Sequence, residues 1–203
     1  MPTLNEIANK YGTDKGDEHD EAHGYAVVYE RLLKDLPANL KLLEIGIYDL
    51  RFPGASPRMW REYLPQAKLF GFDIHPDASK LEAELGMTVF LANQEDRVAQ
   101  RKAMLEIGPV HFVVDDGSHR MAHICNSLLV IWPWVCKGGY YVVEDLHASI
   151  AQPRHNLDLL LKKHMPDAQW IWLCNDKLLV IRRTLSPPVF KHSQARSRSS
   201  SKA

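Results

Sequence analysis

At 203 residues, the chain has room for one domain of ~150 residues plus a small appendage, and it can bury a sizeable core without covalent staples. Its 45% hydrophobic and 25% charged content excludes collagen-like and wholly disordered classes. Twenty-five Lys and Arg balance 25 Asp and Glu, so no overall field draws in nucleic acid or an anionic membrane.

The first amphipathic stretch, residues 24–35, predicts a helix ahead of a sheet. Short runs rich in β-branched and aromatic residues follow at 40–46 (LKLLEIG), 68–74 (KLFGFDI), 87–92 (MTVFLA), 110–115 (VHFVVD) and 139–144 (GYYVVE), each bounded by turn-forming residues. Helix-length segments over 55–64, 78–85, 97–107 and 119–132 alternate with them. This rhythm predicts an α/β, doubly wound, mostly parallel Rossmann-like sheet, with apolar strands covered on both faces. The pattern then changes. WIWLC (170–174) and LLVIR (178–182) are separated by Asn175, Asp176 and Lys177, which predicts a C-terminal antiparallel hairpin. Domain organisation is expected to be a folded unit over 1–185 and a disordered, basic Ser/Arg-rich tail over 186–203. Trp132, Trp134, Trp170 and Trp172 read as core. No run reaches the ~18 apolar residues of a membrane span, and the N-terminal residues have no signal-peptide stretch. Cys125, Cys136 and Cys174 lack CxxC spacing and suit reduced thiols in the cytoplasm.

Ligands of such sheets bind beyond the carboxyl ends of the strands. The first strand ends Glu44-Ile45-Gly46, where a glycine lets the backbone turn and approach a ligand. The glycines of a pyrophosphate cradle do not follow, which argues against a nicotinamide dinucleotide. Asp73 ends the second strand, where an acid suits a ribose diol or is simply solvated. Asn93 and Gln94 follow the third strand, and their amides could read an adenine edge or cap a helix.

The densest chemistry closes the fourth and fifth strands: Asp115-Asp116-Gly117-Ser118-His119 and Glu144-Asp145-Leu146-His147. If those strands are neighbours, their ends lie ~5 Å apart, and carboxylates so crowded need compensation. A hard divalent cation such as Mg²⁺ supplies it, with Asp116, Glu144 and Asp145 as ligands. Successive strand residues face opposite sides, so Asp115 is free to lie toward a cofactor. His119, expected to open a helix with His123 one turn on, is the general-base candidate, and His147 the alternative. A zinc site on His119 and His123 is a further reading of that helix.

These residues carry a resemblance. The stretch Ala8 to Gly16 (ANKYGTDKG) with His23 and Tyr25, LEIG at 43–46, GASPRMW at 54–60, GFDI at 71–74, DDGSH at 115–119 with His123, and GGYYVVEDLH at 138–147 are similar to class I S-adenosylmethionine-dependent methyltransferases. Within that class the chain resembles the metal-dependent O-methyltransferases of macrolide and glycoside sugars, whose core is shared by cephalosporin hydroxylase-type proteins. The resemblance runs from about residue 4 to 183. It implies S-adenosylmethionine and Mg²⁺ as cofactors, Asp116, Glu144 and Asp145 on the metal, and His119 as base. It also implies that Thr13, Lys15, Glu44, Gly46, Asp73, Asn93 and Gln94 surround the cofactor, with Lys15 available to pair with the methionine carboxylate. In place of the usual Gly-rich continuation stands IYDLRFP at 47–53, where Tyr48 and Leu50 are expected to narrow the methionine end. The implied reaction is methyl transfer to a hydroxyl of a sugar or glycosylated small molecule, with no nucleic-acid or membrane partner. A homo-oligomer would help to close the acceptor pocket. Two rivals stand beside this: a hydroxylase-like reaction, and a non-catalytic cofactor-binding or assembly subunit.

Overall fold

A computed structural model describes residues 2–18, 22–146 and 152–184. The tail over 186–203 and His147 lie outside the described residues. Seven strands form one sheet: β1 (Lys41–Ile45), β2 (Lys68–Asp73), β3 (Thr88–Leu91), β4 (Val110–Asp115), β5 (Val135–Val143), β6 (Ala168–Leu173) and β7 (Leu178–Arg183). Their order is β3-β2-β1-β4-β5-β7-β6. The first five run parallel, and β7 is antiparallel to both β5 and β6. The doubly wound sheet and its C-terminal hairpin are as expected. Cys174, Asn175 and Asp176 form the turn with three successive left-handed backbones (φ 51 to 64°), a conformation that Asn and Asp tolerate best among side-chain-bearing residues.

Seven α-helices flank the strands among the described residues: α1 (Leu4–Tyr11), α2 (Tyr25–Leu33), α3 (Ala55–Tyr63), α4 (Lys80–Leu85), α5 (Arg97–Ile107), α6 (Met121–Ile131) and α7 (Pro153–His164). None is long and apolar enough to cross a membrane. Strand alternation divides the core in two. Leu42, Val114 and Val142 pack with Tyr29, Met59 and Trp60 of α2 and α3. Leu43, Val113 and Val143 pack with Met104, Leu128 and Leu161 of α5, α6 and α7. Trp132 is buried, while Trp170 and Trp172 are half-buried on the edge strand β6 and both donate their indole N–H to Asp158.

Two helices go beyond the sequence reading. α1 is announced by a capping box, in which the Thr3 hydroxyl accepts from the Glu6 amide and the Glu6 carboxylate accepts from the Thr3 amide, so two orphan donors are satisfied reciprocally. α7 starts with Pro153 in its first turn, a position where the missing N–H costs nothing. α6 differs in its start. It begins at Met121, and His119 precedes it in a left-handed turn (φ 54°), so His119 and His123 share no helical face and the zinc reading loses its geometry.

Candidate active site

The alternation that sorts the core also sorts the acids. β1, β4 and β5 lie side by side. Glu44 and Glu144 continue the parity of Leu42 and Val142, and Asp116 that of Val114, so all three reach the face covered by α1 to α3. Asp115 takes the opposite face. There its carboxylate accepts from the Gln94 amide (2.7 Å) and the Tyr141 hydroxyl (2.9 Å), and burial pushes its pKa up to about 7.

On the acid face the counter-charge comes from the N-terminal segment. After α1 the chain turns at Gly12 and folds back on Asn9, whose side-chain oxygen accepts from the amides of Asp17 and Glu18. A Cβ at Gly16 would lie 2.1 Å from that oxygen, so the close approach requires glycine. The carbonyls of Asp14, Lys15 and Gly16 accept from His23, Ala26 and Gly24 at the start of α2. Lys15 is thus fixed at its backbone, and its fully buried ammonium lies 2.5 Å from Asp116 Oδ2, 3.0 Å from Glu144 Oε2, 3.6 Å from Glu44 Oε1 and 4.0 Å from Asp14 Oδ1. Burial works against this charge, but the surrounding Asp116, Glu144, Glu44 and Asp14 outweigh it and raise the Lys15 pKa well above its ordinary value. Burial likewise raises the carboxyls of Asp116 and Glu144, against the pull of Lys15.

Helix α2 braces the same acids. Tyr25 and Tyr29, one turn apart on one face, donate their hydroxyls to Asp145 Oδ1 (2.8 Å) and Glu144 Oε1. The Trp60 indole N–H donates to Glu44 Oε2 at 3.1 Å. Glu44 Oε1 accepts no hydrogen bond, and burial pushes the Glu44 pKa up to about 7.

The outer edge of this floor carries the histidines. His119 Nε2 lies 3.8 Å from Asp116 Oδ1, and His23 Nε2 lies 3.3 Å from Asp145 Oδ1. Among the described residues two sets offer ligand atoms within 4.8 Å of one another, Asp116–His119–Asp145 and Asp14–His23–Asp145. His119 and Asp145 both have left-handed backbones (φ 54° and 52°), a strained state for such residues that concentrates at functional sites. Hard carboxylate oxygens beside an imidazole, in a floor richer in acid than in base, fit a divalent ion such as Mg²⁺. Glu144 belongs to neither set; its oxygens lie against the Lys15 ammonium and the Tyr29 hydroxyl.

Beyond the strand ends opens a cavity of about 480 Å³, lined by Thr13, Lys15, Gly46, Asp73, Asn93, Gln94, Asp116 and His119 among others. Gly46 has φ 82°, and a Cβ there would sit 2.0 Å from the carbonyl oxygen of Asp116; only glycine lets β1 turn beneath that loop. Asp73 accepts from the amides of Ile47, Tyr48 and His75 (2.7 to 2.9 Å), so it anchors the loop after β1 as well as facing the cavity. Tyr48 stacks on His75 with centroids 4.6 Å apart.

Six of the eight residues expected around a cofactor therefore line the cavity. Asp115 and Glu44 are the corrections. Each is sealed in the core by its own hydrogen bonds and is absent from the cavity wall. Gln94 lines the cavity but spends its amide on Asp115, Ser127 and Ser118, leaving the exposed Asn93 as the freer polar group. Lys15 faces the carboxylates of Asp116 and Glu144. Leu50 is 74% exposed and narrows nothing. His123 turns to Ser118 Oγ (2.8 Å) and belongs to neither ligand set. Tyr25 and Tyr29 were missed as site residues; their signal was two phenols at helical spacing on an otherwise apolar face.

The sheet order, the terminal hairpin and the cavity above β1, β2 and β4 define the class I methyltransferase fold. MycE methyltransferase of the mycinamycin biosynthetic pathway, solved with Mg, S-adenosylhomocysteine and mycinamycin VI, superposes with a TM-score of 0.77 at 24% identity, over 94% of this chain and 58% of that one. The curated homologues are sugar O-methyltransferases. L-olivosyl-oleandolide 3-O-methyltransferase of Streptomyces antibioticus is 36% identical over 152 residues, 73% of this chain and 38% of that protein. Mycinamicin VI 2''-O-methyltransferase of Micromonospora griseorubida is 33% identical over 149 residues, 71% and 36% of the two chains. The chain thus spans under two fifths of the length of these relatives. No protein-family model matches it.

Proposed function

We propose that residues 1–185 form the methyl-transferring unit of an S-adenosylmethionine-dependent O-methyltransferase, acting on a hydroxyl of a sugar or glycosylated small molecule with Mg²⁺. The observation that carries this reading is the meeting of Asp116, His119 and Asp145 at the mouth of a cavity walled by Gly46 and Asp73. The named activities of the curated homologues and the Mg and S-adenosylhomocysteine in the MycE complex support it.

Gly46, Asp73 and Asn93 would hold the cofactor, Asp73 taking its ribose and Asn93 its base, with Thr13 in the segment that would cover it. Asp116 and Asp145, with Glu144 the third acid of the expected set, would hold the divalent ion, which would make an acceptor hydroxyl more acidic and orient it. His119 Nε2 takes the proton of that hydroxyl, and Asp116 stabilises the imidazolium that results. Holding the acceptor oxygen in line with the methyl group would supply the remaining acceleration by orientation. Small-molecule chemistry also suits the balanced charge of the chain, and a second copy would complete the acceptor side.

The test is methyl transfer from labelled cofactor to a panel of deoxysugar glycosides and nucleotide sugars, with S-adenosylhomocysteine counted against product. A methylated product in equal amount is expected. Oxidised product without S-adenosylhomocysteine would point to the hydroxylase-like alternative. A chain that binds no S-adenosylmethionine, with or without Mg²⁺, would overturn the proposal.

A further inference from the structure

The acid that strand alternation sends to the opposite face, Asp115, starts a run of hydrogen bonds that returns to the cavity. Asp115 and Gln94 are both buried. Gln94 Nε2 lies 2.7 Å from Asp115 Oδ1 and 3.2 Å from Ser127 Oγ. The amide and the hydroxyl of Ser118 each lie 3.0 Å from Gln94 Oε1. Gln100 steadies the arrangement, donating to the Gln94 backbone carbonyl and to Ser127 Oγ. A Cβ at Gly117 would lie 2.5 Å from Gln94 Oε1, so the loop after β4 rests directly on this side chain.

Donor and acceptor chemistry gives this run one direction. A backbone amide only donates and a carbonyl oxygen only accepts, so Gln94 Oε1 belongs to Ser118 and its NH₂ to Asp115. The Ser118 hydroxyl spends its single proton on the same Oε1. His123 Nδ1, 2.8 Å from Ser118 Oγ, must then donate, so the imidazole carries its proton on Nδ1. The order is His123 to Ser118 to Gln94 to Asp115, and the Tyr141 hydroxyl closes on the second oxygen of Asp115 at 2.9 Å.

We propose that Asp115 and Gln94 are positioning residues for the general base: they fix Ser118, and through it the turn that presents His119, and they hold His123 as the Nδ1–H tautomer. His119 follows Ser118 directly, with a φ of 54° that persists only where its surroundings impose it. The Gln94 amide cannot rotate without leaving Asp115 or Ser118 with the wrong partner, which is costly for buried groups. The orientation of the turn is therefore set from inside the core. The inference rests on the reading of His119 as base, and the experiment separates the failure of one from the failure of the other.

The His123 ring is read by long-range proton–nitrogen correlation on the nitrogen-labelled full chain, its signals assigned by their loss in His123→Asn. Turnover of labelled S-adenosylmethionine with the acceptor panel above and melting temperature are recorded for each variant. The wild type is expected to show a protonated Nδ1 and a bare Nε2. Gln94→Met removes the acceptor, so the Ser118 hydroxyl turns to His123 Nδ1 and the ring proton moves to Nε2. Turnover should then fall at least about tenfold. Asp115→Asn combined with Gln94→Glu exchanges amide and carboxyl and keeps the direction of the run. This pair is expected to retain the Nδ1–H form, with turnover within about threefold of the wild type. A wild type with its proton on Nε2 overturns the proposal, as does an exchanged pair whose turnover is at least about tenfold down. Neither result needs Gln94→Met to fold. A wild type in the Nδ1–H form that methylates no acceptor overturns the reading of His119 as base and leaves the direction of the run standing.

Discussion

In the floor beneath the cavity Lys15, Glu44 and Glu144 are sealed from solvent and cross-braced by Tyr29 and Trp60. At its rim, the loop after β1 leaves Leu50 74% exposed and is tied down mainly through its backbone amides to Asp73. Charged groups taken from water must be held in fixed, mutually satisfied geometry, or the fold loses stability. A rim that admits and releases a ligand needs only an anchor and a hinge. The floor is therefore the preorganised part and the rim the adaptable part.

The sharpest way to break this contrast is at the floor's outer edge. Asp116→Asn and His119→Ala should each lower methyl transfer by roughly 10²- to 10⁴-fold, with S-adenosylmethionine binding by calorimetry still measurable. Excess chelator should act in the same direction. Undiminished turnover would remove the roles assigned to these residues. Gly46→Ala forces a side chain against the Asp116 carbonyl and should cost about 3 kcal/mol, read as a fall in melting temperature of roughly 6–12 °C. Asp73→Asn, which loosens the rim's anchor, should weaken cofactor binding by about tenfold with a smaller thermal effect.

Acidity sharpens the comparison further. Burial raises the Glu44 pKa from 4.5 to about 7, so the fold favours its neutral form. That contribution is complete below the unfolded value and is lost as pH rises through the folded one. Melting temperature should therefore fall between pH 5 and pH 8, and Glu44→Gln, which stays neutral, should reduce the drop by about 2–4 °C. The smallest effect belongs to the rim, where Leu50→Ser should change stability by no more than about 0.5 kcal/mol in chemical denaturation.

The strands were legible because each concentrates β-branched and aromatic residues between turn formers, and the parity of Asp115 against Asp116 followed from the pleat alone. The burial of Lys15 among the acids was not legible. Lys15 lies 101 residues from Asp116, and no local pattern says that a loop after α1 will bury an ammonium against two distant strands. His119 was misplaced for a local reason. Propensity extends α6 back to residue 119, but a left-handed turn there aims the imidazole at Asp116. Leu50 was misread because an apolar side chain in a loop suggested a filled pocket, when the loop's direction was set by Asp73.

β7 enters the sheet between β5 and β6 although it follows both along the chain. Through most of synthesis, then, the Tyr141–Val143 side of β5 has no neighbour, and the hydrophobic ladder it presents is a template for any passing strand. A truncation that removed residues 178–183 would do more than shorten a margin: it would strand β6 and leave the acid-bearing β5 as a raw edge. Recombinant versions that stop early should aggregate rather than fold into a smaller unit.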